Sequence, residues 1–261
     1  MTGEPLLYLH GLAGDLHAPF TQAEGTPLLR ALGERFDVTA PPHPGYDGTP
    51  IDGLDHVEDW AFHYADLLDS LGLGEIDVIG HSIGGWLAAE LAVRHPHRVR
   101  RLALVAPVGL HAPEHAGALF FGAVAPRGLG GFGEARALLF ADPESEAALT
   151  TLPDDMDTER QQRWFGGLIG AARLGWDAPQ LANPKLASHL HRVSAPVLLV
   201  WGDQDRVVPV AQADAWQAGL SDSRLEIVQG AGHCVVMEQP DAVAAAVLGF
   251  LDNRSGGVGS A

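Results

Sequence analysis

The chain has 261 residues, 46% of them hydrophobic and 19% charged, a balance that supports a full-sized buried core and excludes collagenous, disordered and coiled-coil architectures. Sixteen Lys and Arg against 33 Asp and Glu leave a net charge of −17, a field that repels nucleic acid and anionic membranes, so neither is an expected partner. The single cysteine, Cys234, cannot close an intramolecular disulfide, no export signal opens the chain, and no apolar stretch reaches the ~18–20 residues of a membrane span; a soluble, cytoplasmic protein is expected.

Taken in chain order, short apolar runs bounded by turn residues predict parallel strands at residues 5–10, 36–40, 76–80, 99–106, 196–201 and 224–228, each of a length suited to burial on both faces. Stretches with helical spacing alternate with them at 26–35, 56–71, 83–95, 209–219 and 240–251. Such alternation predicts the α/β class: a doubly wound, mostly parallel sheet of about six strands with helices on both faces. The rhythm breaks between residues 106 and 196, where no strand signal occurs. Helical pieces at 116–121, 134–140, 144–149, 158–173 and 185–192, punctuated by turns at 127–133 and 177–179, predict an inserted helical lid. The expected organisation is a core of residues 1–108 and 192–252, a lid of 109–191 and a disordered tail of 253–261.

The chemistry is concentrated after the third predicted strand, where Gly80-His81-Ser82-Ile83-Gly84-Gly85 leads into a helix-like run. This is Gly-x-Ser-x-Gly at a strand-to-helix turn, the context that gives the pattern meaning. A serine in so sharp a turn has a strained backbone, and the small residues two before and two after it let strand and helix approach closely. The turn sets the Ser82 hydroxyl at a helix N-terminus, where free N–H groups favour developing negative charge. A serine hydroxyl becomes nucleophilic only when a base takes its proton, so a histidine and a carboxylate to orient it are required. Both occur downstream at the ends of later strands. Asp203 and Asp205 lie in Trp201-Gly-Asp-Gln-Asp-Arg-Val-Val-Pro209, and His233 lies in Gly230-Ala-Gly-His-Cys234. Spacing alone does not choose between the two aspartates, while the end of the fourth strand, Ala106-Pro107-Val108, holds no competing acid.

Together, Gly-x-Ser-x-Gly, Gly-Asp-x-Asp-x-x-Val-Pro and Gly-x-Gly-His resemble the motifs of the α/β-hydrolase superfamily, over residues 5–108 and 192–251. The resemblance implies Asp205 as the acid and Asp203 as a loop-structuring carboxylate. It also implies that His10-Gly11-Leu12 supplies one oxyanion donor, the Leu12 N–H, and that the Ile83 N–H supplies the other, with His10 structural. The family's two leading strands have no counterpart before residue 5. The implied catalytic set is Ser82, Asp205 and His233, with no cofactor and no metal, acting on a carboxylic ester of a small or medium apolar compound through an acyl-enzyme. Serine at the elbow argues against the aspartate-dependent dehalogenases and epoxide hydrolases of the same fold. Carbon–carbon bond hydrolases are the alternative, although many carry Trp after the histidine and Asn before the serine, where this chain has Cys234 and His81. A non-catalytic small-ligand receptor on the same scaffold is the reading from another class. Oligomeric state has no signature in the sequence.

Other signals are weaker. The pairs His95/His97, His111/His115 and His189/His191 lack partner carboxylates at ligand spacing, and Pro113 interrupts the helix that would align the second pair. His81 and His43 are candidate cleft residues, although solvated or packed histidines are the commoner outcome, and Cys234 is expected to be a small packed side chain. Trp164, Phe165, Trp176, Phe120, Phe121 and Phe140 are expected to form the lid's own core, with some facing the substrate. Asp142, Glu144, Glu146, Asp154, Asp155, Asp157 and Glu159 are expected to be a solvated acidic surface without a basic partner.

Overall fold

The computed structural model describes residues 3–12, 26–46, 49–111, 132–155, 157–176 and 180–252. Six strands, β1 (Glu4–Leu9), β2 (Phe36–Thr39), β3 (Ile76–His81), β4 (Val99–Val105), β5 (Val197–Gly202) and β6 (Ser223–Val228), form one sheet in the order β2-β1-β3-β4-β5-β6, and every pairing is parallel. The expected α/β class and parallel sheet are thus observed. Two edge strands correct the expectation that all six are buried on both faces. Three of the four residues of β2 are only partly buried, and β6 exposes Glu226 and Ile227, because neither strand has a second neighbour to cover it among the described residues.

The inner strands show why a nearly continuous apolar run is needed here. Alternate residues of one strand enter opposite cores. Leu7, Leu9, Val78, Leu102, Leu104, Leu199 and Trp201 pack on one face with α2 (Val57–Ser70) and α3 (Ile83–Arg94). On the other face, Leu6, Tyr8, Ile79, Ala103, Val105, Leu198 and Val200 pack with α1 (Pro27–Gly33) and the last helix.

Between β4 and β5 lie α4 (Gly133–Leu139), α5 (Glu146–Thr151), α6 (Thr158–Gly175) and α7 (Leu186–His189), the last running into a 3-10 turn at Leu190–Arg192. The buried side chains of this insert, including Leu139, Phe140, Trp164 and Leu186, belong to the same cluster as α2 and α3. Phe140 and Trp164 are buried as expected of core aromatics, whereas Phe165 and Trp176 are exposed. Arg136 corrects the picture of an unpartnered acidic surface: its buried guanidinium donates to Asp154 at 2.9 Å and to the Leu152 carbonyl at 2.7 Å, tying α4 to the segment after α5. The predicted helix at 116–121, most of the turn at 127–133, the turn at 177–179 and the tail at 253–261 lie outside the described residues.

After β5 come α8 (Ala213–Gly219), entered through a 3-10 turn at Val210–Gln212, then β6, a short α9 (Val235–Glu238) and α10 (Pro240–Asp252). The single helix predicted over 209–219 is therefore two pieces, and α9 was not predicted. Four residues are too few for a periodic apolar pattern, and α9 is anchored by the buried Val235 and Val236.

Candidate active site

At the carboxyl end of β3 the chain reverses into α3 with Ser82 at φ 53° and ψ −115°, a left-handed conformation that a side-chain-bearing residue adopts only when its surroundings enforce it. The enforcing contacts are visible. A Cβ on Gly80 would fall on the Gly84 carbonyl, and one on Gly84 would fall on the Leu9 carbonyl, so strand and helix close to backbone contact only because both positions are glycine. The Val108 N–H donates to the Ser82 carbonyl at 3.3 Å, so the turn after β4 braces the elbow from the side.

The Ser82 hydroxyl lies 2.7 Å from His233 Nε2, and His233 Nδ1 donates to Asp205 Oδ2 at 2.9 Å. All three side chains are buried. The other carboxylate oxygen of Asp205 accepts the Val207 and Val208 N–H groups at 2.9 and 2.8 Å, which fixes the carboxylate plane. Asp203 points elsewhere: its Oδ1 accepts the Gly230 N–H at 2.7 Å and holds the loop that leads to His233. The loop carrying Leu12 lies against the elbow, since a Cβ on Gly11 would sit 3.3 Å from the Ser82 Cβ. Ile83 is the first residue of α3, so its N–H has no partner within the helix.

Four further polar side chains are drawn into this frame. His81 donates from Nε2 to the His233 carbonyl at 3.0 Å. His10 accepts the His43 N–H at Nε2 (3.1 Å) and donates from Nδ1 to the Gly11 carbonyl (2.9 Å), while His43 Nε2 donates to the His10 carbonyl at 2.7 Å. The Tyr64 hydroxyl meets His43 Nδ1. Burial holds the His43 imidazole far below its usual range, and the neighbouring His10 adds to this, so the ring is neutral and Nδ1 accepts from tyrosine. His43 and His81 are packed histidines that brace the loops, the commoner of the two outcomes expected for them. Among the described residues no group of three or more His, Cys, Asp and Glu is placed to hold a metal ion.

Residues 4–240 match the family model of the alpha/beta hydrolase fold. The chain belongs to that family. Among curated relatives, it is 32% identical over 249 residues to the dihydrolipoyllysine-residue acetyltransferase component of the acetoin cleaving system of Cupriavidus necator, covering 90% of this chain and 60% of that protein. It is 30% identical over 258 residues to a 2-hydroxymuconate semialdehyde hydrolase of Pseudomonas putida, covering 95% of this chain and 87% of the relative. Among solved structures, a thermophilic esterase from Thermogutta terrifontis superposes with a TM-score of 0.71 at 25% identity, over 96% of this chain and 90% of the esterase. The family, together with the semialdehyde hydrolase and the esterase, supports hydrolase activity. No helix among the described residues is long and apolar enough to cross a membrane.

Proposed function

We propose that the chain is a serine hydrolase that cleaves a carboxylic ester of a small or medium apolar compound through an acyl-enzyme. The observation that carries this reading is the continuous chain from the Ser82 hydroxyl through His233 to Asp205, mounted on a strained elbow. His233 Nε2 takes the serine proton as Ser82 attacks the ester carbonyl, and Asp205 stabilises the imidazolium that forms. The Leu12 and Ile83 N–H groups receive the tetrahedral oxyanion, where a single donor is worth about 10²–10³ in rate. His233 then returns its proton to the leaving alcohol, water attacks the acyl-enzyme with His233 again as base, and the acid is released. The insert at 109–191 acts as a lid over this centre.

Hydrolysis of p-nitrophenyl esters by purified protein, with Ser82→Ala folded but inactive, is the expected outcome; undiminished turnover by that variant refutes the nucleophile assignment. The relative named 2-hydroxymuconate semialdehyde hydrolase favours a second reading, carbon–carbon bond hydrolysis of a vinylogous diketone. Loss of such a substrate's visible absorbance, with esters turned over poorly, selects it. Failure of a fluorophosphonate to label Ser82 in folded protein would favour a non-catalytic receptor.

A further inference from the structure

The end of α4 is bound to both loops that carry the base and the acid. The N–H groups of the residues on either side of His233 are both anchored, one directly to this helix end and one through Glu238. The Cys234 N–H donates to the Leu139 carbonyl at 2.9 Å, and the Gly232 N–H donates to Glu238 Oε2 at 2.7 Å. Glu238 in turn accepts the Ala141 N–H at 2.7 Å on its other oxygen, so one carboxylate joins the insert to the residue before His233. From the acid's side, Arg206, the residue after Asp205, donates to the Ala137 and Phe140 carbonyls at 2.9 and 2.7 Å and to the Ala141 carbonyl at 3.3 Å. These are acceptors that a helix end leaves free, and a cation there also meets the negative end of the helix dipole. The fit is close, since a Cβ on Gly232 would lie 2.7 Å from the Ala141 nitrogen and 2.9 Å from the Leu139 oxygen.

We infer that Glu238 and Arg206 are positioning residues, and that the segment 139–141 of the insert is a structural member of the catalytic centre that holds the His233 loop in register with the Asp205 loop. This inference rests on the serine-hydrolase reading. Neither side chain touches substrate. Each acts through backbone groups one residue removed from a catalytic side chain, where a shift of about 1 Å in the imidazole costs on the order of 10²-fold in rate. Burial pushes the Glu238 carboxyl above its usual range, while the bonds from Ala141 and Gly232 favour its charged form. The substitution Glu238→Gln keeps the size but offers one carbonyl oxygen and one amide group to two N–H donors, so one bridge is lost.

The test is the rate of Ser82 labelling by a fluorophosphonate, resolved into the maximal rate and the half-saturating concentration, in wild type, E238Q, E238D and R206Q, each normalised to folded protein by circular dichroism. The expected result is a maximal rate lower by about 10–100-fold in E238Q and about 3–10-fold in R206Q, at half-saturation within twofold of wild type. E238D, which restores the charge but is one methylene too short to span both donors, is expected to recover less than half of the loss. Wild-type rates in E238Q and R206Q, or a loss confined to half-saturation, overturn the inference. R206Q alone decides it if E238Q does not fold, because Arg206 is exposed. An unlabelled wild-type protein overturns the hydrolase reading itself and this inference with it, an outcome distinct from labelling that the substitutions leave unchanged.

Discussion

The substitution Asp205→Asn isolates the role of one carboxylate oxygen. Asp205 divides its bonds, with Oδ1 accepting two backbone N–H groups and Oδ2 facing His233 Nδ1. Asparagine keeps the shape, but its carbonyl oxygen must serve the Val207 and Val208 donors, so its amide group is turned towards His233. An amide N–H can only donate, so Nδ1 must become the acceptor and the ring proton moves to Nε2, where it faces the Ser82 hydroxyl. The imidazole is then the wrong tautomer to take the serine proton, and the charge that stabilises the imidazolium is gone. The expected loss in kcat is about 10⁴-fold, equivalent to about 5.5 kcal/mol of transition-state stabilisation. The fold should be unaffected, because both backbone bonds to the loop survive. The assay is p-nitrophenyl ester hydrolysis, with Asp203→Asn as the comparison. Asp203 is exposed and its bonds to Gly230 and Ala231 can be kept by an asparagine carbonyl, so that variant should stay within about threefold of wild type. Activity of D205N within tenfold of wild type, or equal losses in the two variants, would refute the tautomer argument.

Two further predictions concern what holds the frame. Asp77 is fully buried at the start of β3 and accepts bidentate bonds from Arg100 and Arg101 at 2.6–3.0 Å, with Arg101 mostly buried and Arg100 about one-third exposed. Asp77→Asn should cost about 3 kcal/mol in urea unfolding at pH 7, because it removes the buried charge between two cations and leaves them only the half-exposed Glu4. Burial pushes the Asp77 carboxyl up, but the hydrogen bonds from Arg100 and Arg101 outweigh it, and the group titrates below its usual range. Its contribution is therefore present above about pH 4 and is lost as the pH falls through the folded-state value, so the gap between variant and wild type should shrink towards pH 3. Tyr64→Phe leaves the buried Nδ1 of His43 without a donor and should destabilise the fold by about 1–3 kcal/mol. A change below 0.5 kcal/mol, on the order of an ordinary surface substitution, would mean that the histidine pair does not brace the Leu12 loop.

Much of the site is readable in one dimension because its demands are local. A sharp strand-to-helix turn needs glycine at 80 and 84 whatever surrounds it, and β5 and β6 must be followed by loops at the same sheet edge as Ser82 once all strands run parallel. Glu238 was not readable in that way. It lies in an unremarkable Val-Val-Met-Glu turn, and the Ala141 N–H that it binds is 97 residues away. Arg136 likewise shares a short apolar helix with no acid at helical spacing ahead of it, and finds Asp154 only when the segment folds back.

By itself the sequence determined the strand and helix alternation, the elbow and the three residue types needed at the strand ends, because hydrophobic periodicity and turn geometry act over a few residues. Residue spacing left the choice between Asp203 and Asp205 open, with only the family resemblance pointing to Asp205, and the tertiary structure alone decided which strands lie at the edges and which partners His43 and His81 take. Those outcomes depend on the direction of side chains and on partners brought in from elements dozens of residues away, and a buried polar group takes whichever partner the packed chain offers it.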